Sequence, residues 1–192
     1  MTEVGRPTVM IVEDEVAVAE GYELLLRQEY EVKIASGGKD ALGMIDETVD
    51  IVLLDRMMPD ISGEEVLAEI RTKEVDCRVA MVTAVEPDFD IIEMGFDEYI
   101  TKPPSREELH STIERMLERS ALDEELQEYY SLVTRRSALQ AEKSSAELEE
   151  SEEYTGLLRR IEEQTDALDS RLGELSSDTD FVGAVREISD EE

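Results

Sequence analysis

The sequence is short of cysteine and histidine, and each shortage excludes a kind of structure or chemistry. Cys77 is the single cysteine, so the chain cannot form an internal disulfide. Because Cys77 opens an apolar run, we expect it to pack as a small hydrophobic residue. His110 is the single histidine and lies in a helix-like stretch, where we expect a surface residue and not a catalytic base.

Long apolar runs are also missing. No uninterrupted apolar stretch approaches the roughly 18 residues that are needed to span a bilayer. The N-terminus lacks the apolar core of a signal peptide. These features favour a soluble, intracellular protein, which we expect to be cytoplasmic.

Basic residues are scarce beside acidic ones. The chain has 50 acidic and 19 basic residues, only five of them lysines, and a net charge of −31. Such self-repulsion destabilises a compact state in dilute buffer, whereas molar salt shortens the Debye length to roughly 3 Å and removes most of the penalty. The composition therefore indicates a halophilic protein. An acidic mesophilic protein with a disordered tail is the alternative.

The first 118 residues alternate between strand-like and helix-like segments. Amphipathic stretches separate five short apolar runs, and the first stretch has Val16, Ala19, Leu24, Leu25 and Leu26 on its apolar face. Repeated strand–helix units require right-handed crossovers and produce a parallel sheet, which predicts an α/β domain over residues 8–118. The predicted strands are residues 8–12, 31–35, 51–54, 77–83 and 97–100.

The composition changes after this domain, and no strand signal follows. Apolar residues at helical spacing predict one helix from Leu122 to Val133 and a second from Tyr154 to Leu175, where a spacing of seven indicates a coiled-coil seam. The polar residues 142–153 between them predict a turn or a solvated helix end. We therefore expect a helical hairpin in a second domain, residues 120–192, whose polar tail includes an amphipathic segment at residues 181–188.

Polar side chains follow four of the five predicted strands. Glu13 and Asp14 come after the first strand, Asp55 after the third, Thr83 ends the fourth, and Lys102 comes shortly after the fifth. The carboxyl ends of parallel strands lie at one edge of a sheet, so we expect these groups to meet there. Three carboxylates, a hydroxyl and an ammonium group suit a site that holds a hard cation and accepts a phosphoryl group.

Each of these residue types has a role in phosphoryl transfer. A carboxylate at Asp55 can attack a phosphoryl group in line and form an aspartyl phosphate. The oxygen ligands of Glu13 and Asp14 favour Mg²⁺ or Mn²⁺, which neutralises the phosphoryl oxygens. Lys102 supplies a point charge for the phosphate, and the hydroxyl of Thr83 can hydrogen-bond to it.

These residues, in this order, resemble the receiver domain of response regulators, the flavodoxin-like partners of histidine kinases. The resemblance covers the first domain and implies a doubly wound, five-stranded parallel sheet of order 2-1-3-4-5. It implies that a separate sensor histidine kinase phosphorylates Asp55, and that Glu13 and Asp14 hold Mg²⁺ with it. Thr83 matches the switch hydroxyl of the family, and Lys102 matches the lysine that pairs with the phosphate.

Two further residues take roles through this resemblance alone. The backbone carbonyl of Met57 matches a further metal ligand, and Tyr99 matches the switch aromatic residue. The bond between Lys102 and Pro103 matches a peptide that is often cis in the family. Haloacid-dehalogenase-like hydrolases, the alternative aspartate phosphotransferases, have a second acid two positions after the nucleophile, where this chain has Met57.

The sequence departs from the receiver pattern between Thr83 and Lys102. These residues lie 19 positions apart, about one helical turn fewer than the resemblance implies. We therefore expect a short fourth helix, from about Asp88 to Met94. Many receivers dimerise or dock through that helix and the next, so the usual dimer of the family is in question for this chain.

An acidic receiver followed by a helical segment resembles the haloarchaeal response regulators that carry a HalX domain. This resemblance is one of architecture and composition over about residues 122–192. It leaves two kinds of output open. In the first, phosphorylation makes the helices engage a protein, either a second copy in a homodimer or another partner.

In the second, the helices contact DNA directly and regulate transcription. The basic pairs Arg135-Arg136 and Arg159-Arg160 are candidates for that contact, although exposed pairing with nearby glutamates is the simpler interpretation. The residues from Ser120 onward comprise 21 acidic and seven basic ones, a net charge of −14 that lacks the basic footprint of DNA binding. We expect no enzymatic turnover beyond slow self-dephosphorylation, because no second catalytic constellation is present.

Overall fold

A parallel five-stranded sheet organises the first part of the chain. The computed structural model describes residues 5–73, 75–120 and 124–175. Its strands lie in the order β2-β1-β3-β4-β5, and all neighbouring pairs are parallel, which confirms the predicted fold. The fourth strand begins one residue later than predicted, and the fifth is shifted by one. The strands are β1 (Thr8–Val12), β2 (Glu31–Ala35), β3 (Ile51–Leu54), β4 (Arg78–Thr83) and β5 (Glu98–Thr101).

Helices connect the strands and then continue alone to the end of the described chain. One of the connections is a 3₁₀ helix, η1, and the remaining helices are α-helices. The helices are α1 (Val16–Leu26), α2 (Gly38–Met44), α3 (Gly63–Thr72), η1 (Phe89–Glu93), α4 (Arg106–Ser120), α5 (Glu124–Glu142), α6 (Ser145–Glu150) and α7 (Glu152–Leu175). Within the described ranges, no helix combines the length and the apolar character that crossing a bilayer requires.

Alternate residues of the strands point to opposite faces of the sheet and enter two separate hydrophobic clusters. On one face Val9 and Ile11 of β1 pack with residues of α1 and α4, such as Leu109. On the other face Met10 and Val12 pack with residues of α2, α3 and η1. Both faces are covered, as the continuous apolar runs of a buried parallel sheet predict.

The apolar face predicted for α1 is partly wrong. The residues that α1 buries include Ala19 and Leu26, whereas Val16 and Leu24 are 62% and 56% exposed. Leu24 lies two positions before Leu26, which places it roughly 200° away around the helix. Val16 is the first residue of α1 and lies beyond the end of β1.

The helix between β4 and β5 is shorter than the helix predicted at residues 88–94. It is the five-residue 3₁₀ helix η1, whose first amide is capped by the carboxylate of Asp88 at 2.8 Å. Ile91 and Ile92 are buried in it. A 3₁₀ helix has poorer hydrogen-bond geometry than an α-helix and is used in short pieces, which fits the missing helical turn.

The C-terminal helices form the predicted hairpin, with one addition. Helices α5 and α7 pack against each other. The polar stretch 142–153 contains α6, which begins with a capping box between Ser144 and Glu147 and buries Leu148. The amphipathic segment predicted at 181–188 lies outside the described residues.

The hairpin packs on the α/β domain and not only on itself. Helix α5 contacts β5 and η1, and α7 contacts η1. Leu132 and Leu139 of α5 and Leu157 and Ile161 of α7 belong to the same hydrophobic cluster as β1, β3 and β4. The hairpin therefore completes the core on the face where the short η1 replaces the expected fourth helix.

Candidate functional site

Three carboxylates meet at the carboxyl edge of the sheet, as predicted. Glu13 and Asp14 follow β1, Asp55 follows β3, and each offers an oxygen atom within 4.8 Å of the others. Glu13 and Asp55 are buried, at 2% and 8% exposure, whereas Asp14 is the most accessible of the three. Solvent therefore reaches the cluster most readily at Asp14.

Lys102 reaches into this cluster from the loop after β5. Its Nζ donates to Oε2 of Glu13 at 2.5 Å and to Oδ2 of Asp55 at 2.6 Å. Its backbone N–H also donates to the carbonyl of Thr83 at 2.9 Å, which fixes the loop beside β4. The peptide bond between Lys102 and Pro103 is cis.

Burial and pairing shift the pKa values of this cluster. Burial raises the pKa of Glu13, and the hydrogen bond and charge of Lys102 oppose that rise. Burial lowers the pKa of Lys102, but the hydrogen bonds to Asp55 and Glu13 outweigh it and leave the pKa above its ordinary value. Lys102 therefore stays charged and compensates the crowded carboxylates.

The loop after β3 holds Asp55 from the backbone. The N–H of Met57 donates to Oδ1 of Asp55 at 3.2 Å, while the side chain of Met57 is 68% exposed and turns away. The N–H of Gly63 donates to the carbonyl of Arg56 at 2.9 Å. A Cβ atom on Gly63 would lie 2.2 Å from the carbonyl oxygen of Asp55, so only glycine permits this close approach of α3 to the loop.

Thr83 and Tyr99 lie next to this cluster and share a partner. The buried hydroxyl of Thr83 accepts a hydrogen bond from the N–H of Val85 at 3.3 Å. The hydroxyl of Tyr99 donates to the carbonyl of Val85 at 2.6 Å, and burial raises its pKa. Both predicted switch residues are thus anchored to the loop between β4 and η1, and neither is hydrogen-bonded to Asp55 in the part of the chain that the structure describes.

Arg56 was missed by sequence reasoning. It is 8% exposed, its Nε donates to Oε1 of Glu64 at 2.7 Å, and its guanidinium also bonds the carboxylate of Asp90 in η1. Burial lowers the pKa of Arg56, but these two carboxylates outweigh it and raise the pKa above its ordinary value. The only indication of it in the sequence is that a basic residue directly follows Asp55, just after the end of a buried strand.

The donor set fits a divalent cation of the Mg²⁺ type. Glu13, Asp14 and Asp55 provide hard carboxylate oxygens, which Mg²⁺ prefers over softer ligands. With all groups ionised, three carboxylates and the ammonium of Lys102 leave an excess of two negative charges. The residues present therefore match the charge and the chemistry of Mg²⁺.

Family models match nearly all of the described chain. Residues 9–114 match the model described as "Response regulator receiver domain", and residues 118–185 match the one described as "HalX domain". The chain is similar to a protein of Haloferax volcanii that is named as a candidate transcriptional regulator, with 43% identity over 159 residues. It is also similar to the sensory transduction protein RegX3 of Mycobacterium tuberculosis, with 39% identity over 122 residues.

These relatives are longer than the chain. The match covers 82% of this chain but 27% of the Haloferax protein, and 61% of this chain but 53% of RegX3. The chain thus spans about a quarter of one relative and about half of the other.

Solved receiver structures are similar to the first part of the chain. The beryllofluoride-activated receiver domain of DrrB is 30% identical with a TM-score of 0.56, covering 60% of this chain and 100% of that one. TrrA of Thermotoga maritima, solved in complex with Mg²⁺ and beryllofluoride, is 32% identical with a TM-score of 0.53, covering 57% and 98%. By its family matches and its sheet topology, the chain belongs to the response regulators, with a two-component receiver domain followed by a HalX domain.

Proposed function

We propose that the chain accepts a phosphoryl group on Asp55 from a separate sensor histidine kinase and uses it to switch its C-terminal helices. The observation that carries this proposal is the contact of Lys102 with both Glu13 and Asp55 inside a cluster of three carboxylates. Receiver domains solved with beryllofluoride, one of them with Mg²⁺, support the same chemistry. Mg²⁺, held by Glu13, Asp14, Asp55 and the carbonyl of Met57, neutralises charge on the phosphoryl oxygens when bound.

The residues of the chain then have distinct tasks. An oxygen of Asp55 forms a bond to phosphorus as the phosphorus–nitrogen bond of the donor phosphohistidine breaks, and the imidazole leaves. Lys102 exchanges its contact with the free carboxylate for one with the new phosphate dianion. The hydroxyl of Thr83 turns from Val85 towards the phosphate, and Tyr99 follows it as the switch aromatic residue.

A small phosphodonor tests the acceptor role. Incubation of the full chain with acetyl phosphate and Mg²⁺ is expected to add one phosphate, measured by intact mass. The variant Asp55→Asn is expected to gain none, whereas Asp60→Asn, an aspartate of the same loop that bonds the backbone at Gly38, keeps the label. Labelling of Asp55→Asn equal to that of the wild type contradicts the assignment.

We propose that the output is engagement of a protein partner by the C-terminal helices. Arg135, one of the basic candidates for DNA contact, is 7% exposed and donates to the carbonyl of Ile92, so the expectation of an exposed pair is wrong there. Arg160 pairs with Glu93 of η1 at 3.3 Å. In this arrangement two of the four candidate arginines are committed to contacts within the chain.

Direct DNA binding is the second candidate, favoured by the name of the Haloferax relative. Gel-shift assays with genomic fragments in molar salt distinguish the two outputs. Sequence-selective retardation by the phosphorylated chain supports DNA binding. Phosphorylation-dependent pairing of the purified chain with itself or with a purified partner, without DNA, supports the protein-binding output. We further propose that the chain is not an enzyme in its own right, apart from slow loss of its own phosphate.

A further inference from the structure

The 3₁₀ helix η1 is held by the hairpin through buried polar contacts. The guanidinium of Arg135 donates to the carbonyl of Ile92 at 3.0 Å and to the hydroxyl of Ser131 at 2.7 Å. Ser131 in turn donates to the carbonyl of Phe96 at 2.6 Å. The oxygens that Arg135 bonds here are thus one backbone carbonyl and one hydroxyl, and burial lowers its pKa to about 10.

Two ion pairs at the edge of this interface also connect the hairpin to η1 and its neighbouring residues. Nζ of Lys143 lies 2.9 Å from Oδ1 of Asp88 just before η1, and Arg160 lies 3.3 Å from Glu93 at its end. The guanidinium of Arg135 also lies over the ring of Phe96, 5.6 Å from its centre. These polar contacts of the hairpin therefore fall on the segment 88–96, which comprises η1 and the residues that flank it.

The phosphoacceptor site holds the same segment from the other side. Arg56, the residue directly after Asp55, forms ion pairs with Glu64 of α3 and with Asp90 of η1. Asp90 lies in the sequence between Asp88 and Glu93, the two acids that pair with the hairpin. The segment 88–96 thus contacts Arg56 on one side and the C-terminal helices on the other.

We infer that Arg56 is a positioning residue that couples phosphorylation of Asp55 to the docking of the hairpin, by releasing Asp90 when the phosphate forms. This inference rests on the proposed function. A phosphoryl group carries about −2 charge and three acceptor oxygens, one residue away from a buried cation. The side chains of Arg56 and Asp90 are 9% and 49% exposed, so the pair is partly buried. Salt screens a partly buried pair less than a surface pair, so the new anion competes with Asp90 for the guanidinium even at high salt.

The segment 88–96 is suited to change its conformation when Asp90 is released. Its only helix is a single 3₁₀ element of five residues, whose backbone hydrogen bonds have poorer geometry than those of an α-helix. Once Asp90 is released, the carbonyls of Ile92 and Phe96 no longer lie at fixed positions for Arg135 and Ser131. The hairpin then loosens, and the faces of α5 and α7 that pack on η1 become available to a partner.

Hydrogen exchange of the full chain tests this coupling. Amides of α5 and α7 that face η1 are expected to exchange roughly tenfold faster after phosphorylation with acetyl phosphate and Mg²⁺ than before it. Amides of β1 and β3 serve as an internal reference that keeps its protection. Intact mass of the same samples reports whether Asp55 carries the phosphate.

Two variants remove the link without removing the acceptor. Asp90→Asn and the more drastic Arg56→Gln are both expected to exchange fast in the hairpin before phosphorylation. Asp90→Asn, which leaves the side chains around Asp55 unchanged, is also expected to accept phosphate on Asp55 and to gain less than twofold after it. Because both act on one contact, the double variant is expected to behave like either single one. Arg106→Gln, which removes an exposed arginine paired with Glu29, is the matched control and keeps the wild-type response.

The possible failures are distinguishable. A wild-type chain that takes no phosphate overturns the proposed function, and the inference with it. A phosphorylated wild type with unchanged exchange in the hairpin overturns the inference alone. A full response in Asp90→Asn that equals the wild-type response also overturns it, because the coupling then bypasses the contact with Arg56.

Discussion

The two faces of the sheet are closed in different ways. Helices α1 and α4 of the receiver cover one face, with Leu109 and Ile113 fully buried against the strands. The other face is covered by α2 and α3, by the short η1, and by Leu132 and Leu157 of the hairpin. A receiver with a shortened fourth helix thus uses the output helices to complete its own core.

This difference has a consequence for signalling. On the first face the hydrophobic cluster of the described residues contains no residue of the hairpin. On the second, Tyr99 lies at the strand that α5 contacts, and η1 lies between Arg56 and the hairpin. Under the proposed coupling, a change at Asp55 would reach the hairpin through packing that is already present, because the hairpin contacts both β5 and η1.

Salt is expected to act strongly on both parts of the molecule. Residues 1–119 carry 29 acidic and 12 basic side chains, and the remainder carries 21 and seven, so the net charges are −17 and −14. Far-UV circular dichroism is expected to show folding and a melting temperature that rise from dilute buffer to molar KCl, because screening removes the repulsion. A full signal and an unchanged melting temperature in dilute buffer contradict the halophilic interpretation.

Truncation of one leucine on each face compares their contributions to the core. Leu157→Ala in α7 and Leu109→Ala in α4 remove fully buried side chains, and each is expected to lower the free energy of unfolding by about 2–5 kcal/mol. The measurement is denaturant unfolding followed by alkylation of Cys77, a buried thiol of the receiver core whose pKa burial raises to about 11.

If the hairpin completes the receiver core, both variants make Cys77 reactive at a lower denaturant concentration. If Leu157→Ala melts the hairpin but leaves the reactivity of Cys77 unchanged, the two parts fold independently and the comparison fails.

Glycine-to-alanine changes on the two faces are expected to have opposite signs. Gly63→Ala in α3 forces a methyl group into the backbone of Asp55 and Arg56, which is expected to cost about 1–3 kcal/mol and to reduce phosphorylation. Gly21→Ala in α1 meets nothing within 4 Å, and is expected to stabilise the helix by about 0.5–1 kcal/mol. Chemical denaturation and intact mass measure both effects. Equal stability of the two variants contradicts the close approach of α3 to the loop.

Much of the site could be predicted because strand ends are visible in the sequence. Short apolar runs place Glu13, Asp55 and Lys102 after strands, and parallel topology brings such ends to one edge. The sheet order followed from the receiver resemblance and the helical hairpin from the spacing of apolar residues, and the structure confirms both. The missing helical turn before Lys102 correctly indicated a reduced fourth helix, although its 3₁₀ geometry was not foreseen.

The contacts between the two parts could not be predicted. The burial of Arg135 depends on which surface α5 packs against, and its sequence neighbourhood is that of an exposed helix. The pairing of Arg56 with Asp90 joins residues 34 positions apart, through a turn whose shape the sequence does not specify. The exposure of Val16 and Leu24 likewise depends on how α1 is rotated on the sheet. Each of these features is set by docking geometry and not by local pattern.

The central claim is that Glu13, Asp14, Asp55 and Lys102 form one phosphoacceptor site that depends on a divalent cation. The most direct measurement is phosphate incorporation by intact mass across a Mg²⁺ titration, with a chelator at the zero point, for the wild type and for Asp14→Asn. Asp14 is the most accessible member of the cluster, so its variant is expected to fold normally. The account predicts one phosphate per wild-type chain with Mg²⁺, none with the chelator, and a large loss in Asp14→Asn; equal labelling in all three cases contradicts it.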